Sequence, residues 1–158
     1  MTGSSHIVFG AGSALLVSTL MQVEPFIIAI TMPFAVIGAL LPDIDVYRSR
    51  LKRNLVVRLA TIPLTLFGHR TWSHSVAMLM VVALPSLVAE GFWFYAWLLF
   101  FTGFASHLLG DWLTHSGIPL FYPIQKRFRS PFPFKTGGMA EYPVSFAPSI
   151  AALLIMLA

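Results

Sequence analysis

Four of the five histidines and all three aspartates of this 158-residue chain stand at the ends of apolar segments, never in their middles. They are His6; Asp43 and Asp45 in LLPDID; His69 and His74 in GHRTWSHS; and His107 with Asp111 in SHLLGD. Imidazole and carboxylate are donors that hold zinc, manganese or iron. The chain has no cysteine, so thiolate ligands and disulfides are both excluded. The recurrence reads as a metal site assembled at one face of a membrane.

His107 and Asp111 are four apart, which on a helix puts them on one face a turn from each other. That suits two ligands of one ion, or a histidine on one ion and a bridging carboxylate; it also suits a histidine hydrogen-bonded to a carboxylate as a polar lock between helices. Asp43 and Asp45 alternate by two and can converge on one ion from a turn, where they repel unless a cation lies between them. An Asx-type turn is the plainer alternative. His69 and His74 are five apart, about 140° around a helix of 3.6 residues per turn, so one is expected to be a ligand and the other catalytic or supporting. Ser73 or Thr71 is expected to cap the following helix. Arg70 is the candidate to clamp a phosphate by paired hydrogen bonds, with a topology anchor as its ordinary role. His115 lies two turns past His107 on the same face, but Gly117 and Pro119 suggest that the helix is already ending there; it and Glu141, the one carboxylate of the last loop, are further candidate ligands.

The elements that must position these residues are membrane helices. A mean hydropathy of +0.80, with 57% apolar and 10% charged residues, is far from a soluble domain, where about a quarter of residues are charged. Crossing the hydrocarbon as a helix takes roughly 20 apolar residues, and the short alternating segments of a barrel are missing. The apolar runs are 7–22, 26–41, 75–90, 92–110 and 144–158. The expected fold is an all-α integral membrane protein: one domain over 1–158, a compact bundle of about five short transmembrane or interfacial helices with the metal site on its cytoplasmic face. The stretch 55–67, interrupted by Arg58 and Pro63, reads as an interfacial or re-entrant helix. The Pro/Gly-rich stretch 128–143 reads as an irregular loop over the site. Trp93, Tyr95 and Trp97 read as an aromatic belt at the outer interface. No basic n-region precedes the first apolar run, so that run is expected to stay in the mature protein.

All ten basic residues lie in two connections, 42–74 and 111–143. The positive-inside rule puts both in the cytoplasm. The N-terminus is then cytoplasmic, helices alternate outward and back, and His6, Asp43, Asp45, His74, His107 and Asp111 all fall at the cytoplasmic level. Lys and Arg alone gave that orientation, so the co-location of the His and Asp residues is an independent agreement.

The strings LLPDID at 40–45, GHRTWSHS at 68–75 and GFASHLLGDWLTHSGIPLFYP at 103–123, with His6 ahead of them, resemble the YdjM-like family of LexA-regulated, membrane-bound metal-dependent hydrolases of bacteria. The resemblance covers most of the chain, and the last string is its most specific part. Glu141 after Gly137 and Gly138 matches an acidic position common in the family. More distantly, the order of residues is similar to zinc-dependent phospholipase C and the P1-type nucleases. By that similarity His6, His74, His107 and Asp111 are ligands, and Asp43 or Asp45 a ligand or the general base. We assign Asp45 to the metal and Asp43, His69 and Arg70 to catalysis. A terminal amine among the ligands is not expected to transfer, because His6 follows five residues.

The resemblance implies a hydrolase of the bacterial inner membrane with one or two divalent ions, zinc first and manganese or iron as alternatives. Its expected substrate is a phosphoester in an anionic lipid or lipid-linked phosphate, drawn from the membrane's own lipids, and no nucleic acid partner is expected. The residues alone support a metal site. A divalent-metal or proton transporter, or a protein whose ion merely pins its helices together, would use the same residue types.

Overall fold

The computed structural model describes residues 1–43 and 72–158, and among these it contains five α-helices and no strand longer than an isolated bridge. They are α1 (Gly3–Leu20), α2 (Pro25–Leu40), α3 (Val76–Ala83), α4 (Gly91–Trp112) and α5 (Glu141–Leu157). α1, α2 with the turn after it, and α4 are each long and apolar enough to cross a membrane; α3 and α5 are shorter apolar helices. The segment expected at 75–90 is therefore not one regular helix. Pro85 lacks the N–H that an α-helix needs there, and the chain tightens into a 3-10 turn over Leu84–Leu87.

Local chemistry explains the helix ends. The Thr2 side chain accepts the Ser5 N–H to start α1, and Pro25 opens α2, where its missing N–H costs nothing. At the far end of α2, Leu41 keeps a right-handed helical conformation in spite of the proline after it. There the helix narrows into a 3-10 turn over Leu41–Asp43 instead of breaking. Ser75 caps α3 by accepting the Met78 N–H at 3.2 Å. The cap expected at Ser73 or Thr71 is thus at Ser75, and His74 lies one residue ahead of it in a 3-10 turn over Trp72–His74.

The N-terminal ends of α1, α3 and α5 and the C-terminal ends of α2 and α4 meet at one end of the bundle, joined by contacts of Thr2 with Glu141, His6 with Asp111 and Asp43 with His74. α4 packs chiefly on α2, and α1 on α5 and α4. Two apolar clusters fill the interior, Ala14 with Ala35 and Leu99, and Val82 with Phe104, Leu108 and Ile118. Trp97 donates from Nε1 to the Val82 carbonyl at 2.7 Å. It braces α3 against α4, whereas Trp93 is exposed as a belt residue would be.

The crossing of α2 and α4 is a backbone-on-backbone contact. A Cβ on Gly38 would collide with the Phe100 carbonyl, and one on Gly103 with the Ala35 carbonyl. Small residues serve this purpose in membranes, where lipid is as apolar as leucine and close packing must hold helices together. Substituting Gly103→Ala is expected to destabilise the fold by about 1–3 kcal/mol, the usual cost of overpacking a close contact. A lowered unfolding midpoint in detergent, read by tryptophan fluorescence, checks this; an unchanged midpoint would show that the helices have room to move apart.

Candidate metal centre

Each ligand candidate owes its place to a helix end. His6 sits in the first turns of α1, where its backbone N–H bonds the Thr2 carbonyl at 3.0 Å. Asp43 closes the turn after α2, His74 closes the turn before α3, and His107 and Asp111 are in the last turns of α4. His6, His74, His107 and Asp111 are between 0 and 3% exposed, and Asp43 is 8% exposed.

One donor atom from each of His6, Asp43, His107 and Asp111 lies within 4.8 Å of all the others. His74 joins them: its Nε2 is 3.5 Å from Asp43 Oδ1, 3.7 Å from Asp111 Oδ2 and 3.3 Å from His107 Nε2. His107 Nε2 lies 3.8 Å from Asp43 Oδ2 and 3.7 Å from Asp111 Oδ2. His6 Nε2 is 3.1 Å from Asp111 Oδ1. The two oxygens of Asp111 thus serve two sides, Oδ1 toward His6 and Oδ2 toward His74 and His107.

The outer nitrogens fix which atoms remain for a cation. His107 donates from Nδ1 to the Ala39 carbonyl at 2.7 Å, which leaves Nε2 as the acceptor. His74 Nδ1 meets the Ser73 hydroxyl at 3.0 Å. Ligand histidines are commonly oriented in this way through the second nitrogen. His6 Nδ1 is buried with no hydrogen-bond partner among the described residues, and its ring stacks on that of His107 with centroids 3.7 Å apart and planes 13° from parallel. Gly110 makes room for this arrangement: a Cβ there would strike Met1 Sδ and lie 3.4 Å from His6 Cε1.

Several expectations change. Asp43, expected in a catalytic role, stands among the candidate ligands, because the 3-10 turn carries its carboxylate toward His74 and His107. The amino group of Met1 pairs with Asp111 Oδ1. The turn at Thr2 that starts α1 brings it there, so an amine does reach the cluster in spite of the five residues before His6. His115 is exposed and outside the cluster: α4 ends at Trp112, the helical spacing stops with it, and the His115 backbone N–H bonds Phe134 instead. Asp45, His69, Arg70 and the stretch 55–67 lie outside the described residues.

Glu141 is likewise not in the cluster. Its Oε1 accepts the backbone N–H and the hydroxyl of Thr2, each at 2.7 Å, and its Oε2 accepts the Gly137 N–H at 2.6 Å. It ties the start of α5 and the loop before it to the residue that caps α1. Burial pushes its carboxyl up, but hydrogen bonds from Ser5, from the Thr2 and Gly137 backbone and from the Thr2 hydroxyl outweigh this and hold it well below the usual carboxylate range. The sequence offered Glu141 as a possible ligand, and the structure gives it this tie instead.

The description "YdjM inner membrane protein" belongs to a family that matches residues 1–158, the whole of the chain. The chain belongs to this family. It is 34% identical over 142 residues to the uncharacterized protein YvsG of Bacillus subtilis (strain 168), covering 89% of this chain and 85% of that protein. It is 36% identical over 144 residues to the inner membrane protein YdjM of Escherichia coli (strain K12) and to that of Shigella flexneri, covering 83% of this chain and 70% of each relative. No solved structure matches the chain. The family membership and the three apolar helices make this a membrane protein, and the buried cluster could hold a metal ion.

The Glu141 tie has a pH signature. A carboxylate held below its ordinary value stabilises the fold fully above that value, about 4.3 for glutamate, and the contribution is lost as pH falls toward the folded value. Glu141→Gln is expected to lower the unfolding midpoint at neutral pH by an amount consistent with about 1.5–3 kcal/mol, the worth of hydrogen bonds to a charged group. The gap from the parent protein should narrow as the pH drops below about 4. A gap independent of pH would show that the charge of Glu141 contributes nothing.

Proposed function

We propose that this YdjM-family protein is a membrane-embedded, metal-dependent hydrolase that cleaves a phosphoester of a lipid or lipid-linked substrate at the cytoplasmic leaflet of the bacterial inner membrane. The observation that carries this reading is the convergence of three imidazole Nε2 atoms and two carboxylates in one buried cluster, with two of the imidazoles held from behind at Nδ1. Such a set of nitrogen and oxygen donors suits zinc, with manganese or iron as the other candidates.

The stack of His6 on His107 favours two ions over one. An imidazole offers its lone pair in the plane of its ring, and nearly parallel planes stacked 3.7 Å apart leave no point near the rings that lies in both planes. His74, His107 and Asp43 would serve one position and His6 the other, with Asp111 between them. Bound divalent ions would supply Lewis-acid polarisation of the phosphoryl group and a water of lowered pKa. Around them His107 holds a fixed tautomer, the Ser73 hydroxyl orients His74, and Asp111 keeps the two halves in register. By the sequence reading, Asp45 completes the ligand set, Arg70 grips the phosphate and His69 protonates the leaving oxygen.

Position supports a hydrolase over a transporter, whose sites usually lie near the midplane between broken helices. These ligands all stand at helix ends on one side of the bundle. The depth of their burial would also suit an ion with a purely structural role, which has a closed coordination sphere.

Elemental mass spectrometry of detergent-purified protein, prepared without chelator, is expected to find close to two divalent ions. His6→Ala should lose one and Asp111→Asn both; protein that is metal-free and takes up none on addition would sink the reading. With cobalt in the site, added inorganic phosphate should change the visible spectrum if a coordination position is open. An unchanged spectrum would assign the ion a structural role. Hydrolysis of phospholipids and prenyl phosphates, abolished by chelator and restored by metal, tests the reaction itself.

A further inference from the structure

Between α4 and α5 the chain runs through 113–140 as turns and extended segments, with isolated bridges pairing Thr114 to Phe134 and Ile118 to Phe128. Its depth is fixed by the helix it leaves. Ser130 N–H bonds the Trp112 carbonyl at 2.9 Å and Phe134 N–H the Leu113 carbonyl at 3.0 Å, which satisfies the end of α4. The Gly137 N–H bonds Glu141 at the start of α5. The segment therefore lies across the end of a membrane-spanning helix, at the level where hydrocarbon gives way to headgroups.

Two side-chain classes that seldom share an exposed surface alternate along it. Phe121, Ile124, Phe132 and Met139 are 53, 60, 89 and 90% exposed. Lys126, Arg127, Arg129 and Lys135 stand exposed among them, and no Asp or Glu occurs between Trp112 and Glu141. Apolar tips interleaved with cations are the composition of segments that lie in the interface of an anionic membrane. The same charge pattern disfavours a second copy of this face as the occupant, since four cations would meet four cations.

We infer that the 113–140 segment is an interfacial anchor that seats Phe132 and Ile124 in the acyl boundary of the adjoining leaflet while Lys126, Arg127 and Arg129 bind anionic lipid headgroups. Phe121 and Met139 extend the same surface. The anchor would hold the end of α4, with His107 and Asp111, against the headgroup layer. It needs neither a bound metal nor a hydrolytic reaction, so it stands or falls apart from the proposed function.

Because the chain has no cysteine, single cysteines can be placed without altering any other residue. Spin labels at Ile124→Cys, Phe132→Cys and the polar control Thr136→Cys would be compared in proteoliposomes, with unfolding midpoints confirming that each variant folds as the parent does. In vesicles containing phosphatidylglycerol, the ratio of collision with oxygen to collision with a water-soluble nickel chelate is expected to be several-fold higher at 124 and 132 than at 136. The ratio should fall toward the control in pure phosphatidylcholine, and in the K126Q/R127Q/R129Q background. Labels at 124 and 132 as accessible to the chelate as the label at 136 would overturn the anchor. Insertion that ignores both lipid charge and the triple substitution would overturn its recognition of anionic headgroups.

Discussion

The imidazole of His107 donates from Nδ1 to the Ala39 carbonyl across 2.7 Å, and the rest of the cluster is arranged around the nitrogen this leaves. Ala39 can accept because α2 ends at Leu40 and its last carbonyls have no partner in the helix. His107 can reach it because Gly38 and Gly103 let the two backbones touch. Separation of α2 from α4 by even the width of a methyl group would break the bond and free the ring to rotate. Its stack on His6 and its 3.3 Å approach to His74 would be lost together. Helix packing and donor geometry are one constraint in this protein.

The cluster in turn holds the helices. Lipid supplies no hydrophobic drive for helices to associate, so polar contacts at their ends matter more than they would in water. His6 with Asp111 joins α1 to α4, Asp43 with His74 joins the end of α2 to the start of α3, and Thr2 with Glu141 joins α1 to α5. The arrangement carries an electrostatic cost. Asp43 follows the C-terminus of α2 and Asp111 lies in the last turn of α4, the ends where the helix macrodipole disfavours negative charge by about 0.3–1 kcal/mol each. Burial adds to this. The Met1 amino group and the N-terminus of α1 offset part of it at Asp111, and a divalent cation between the carboxylates would offset the most.

Much of this was legible in the sequence because the signals were physical and redundant. Hydropathy located α1, α2, α4 and α5 to within a few residues and overran α3, and the distribution of Lys and Arg arranged their ends so that His6, Asp43, His74, His107 and Asp111 fell at one level before any contact was known. What was hidden is what depends on a single turn. The 3-10 turn at Leu41–Asp43 aims Asp43 inward, and no periodicity announces it. Glu141 stood out by composition, yet only the backbone N–H groups of Thr2 and Gly137 reveal it as a tie. Gly38, Gly103 and Gly110 read as ordinary small residues of membrane helices until the close approaches they permit are seen.

The small residues also bear on what the cluster can do. Just inside it, α1, α2 and α4 are packed so tightly that Ala14 and Ala35 are wholly buried, with Leu99 beside them. Together with the backbone contact of Gly38 and Gly103, this fills the middle of the bundle where an alternating-access protein would need a site open in turn to both sides. The polar groups are gathered at one end, beyond that packing, and the cation-bearing segment 113–140 lies across the same end. On the proposed reading, a centre so placed would meet its substrate from one leaflet and its adjoining water. The packing among the described residues disfavours an alternating-access route for an ion through this part of the bundle.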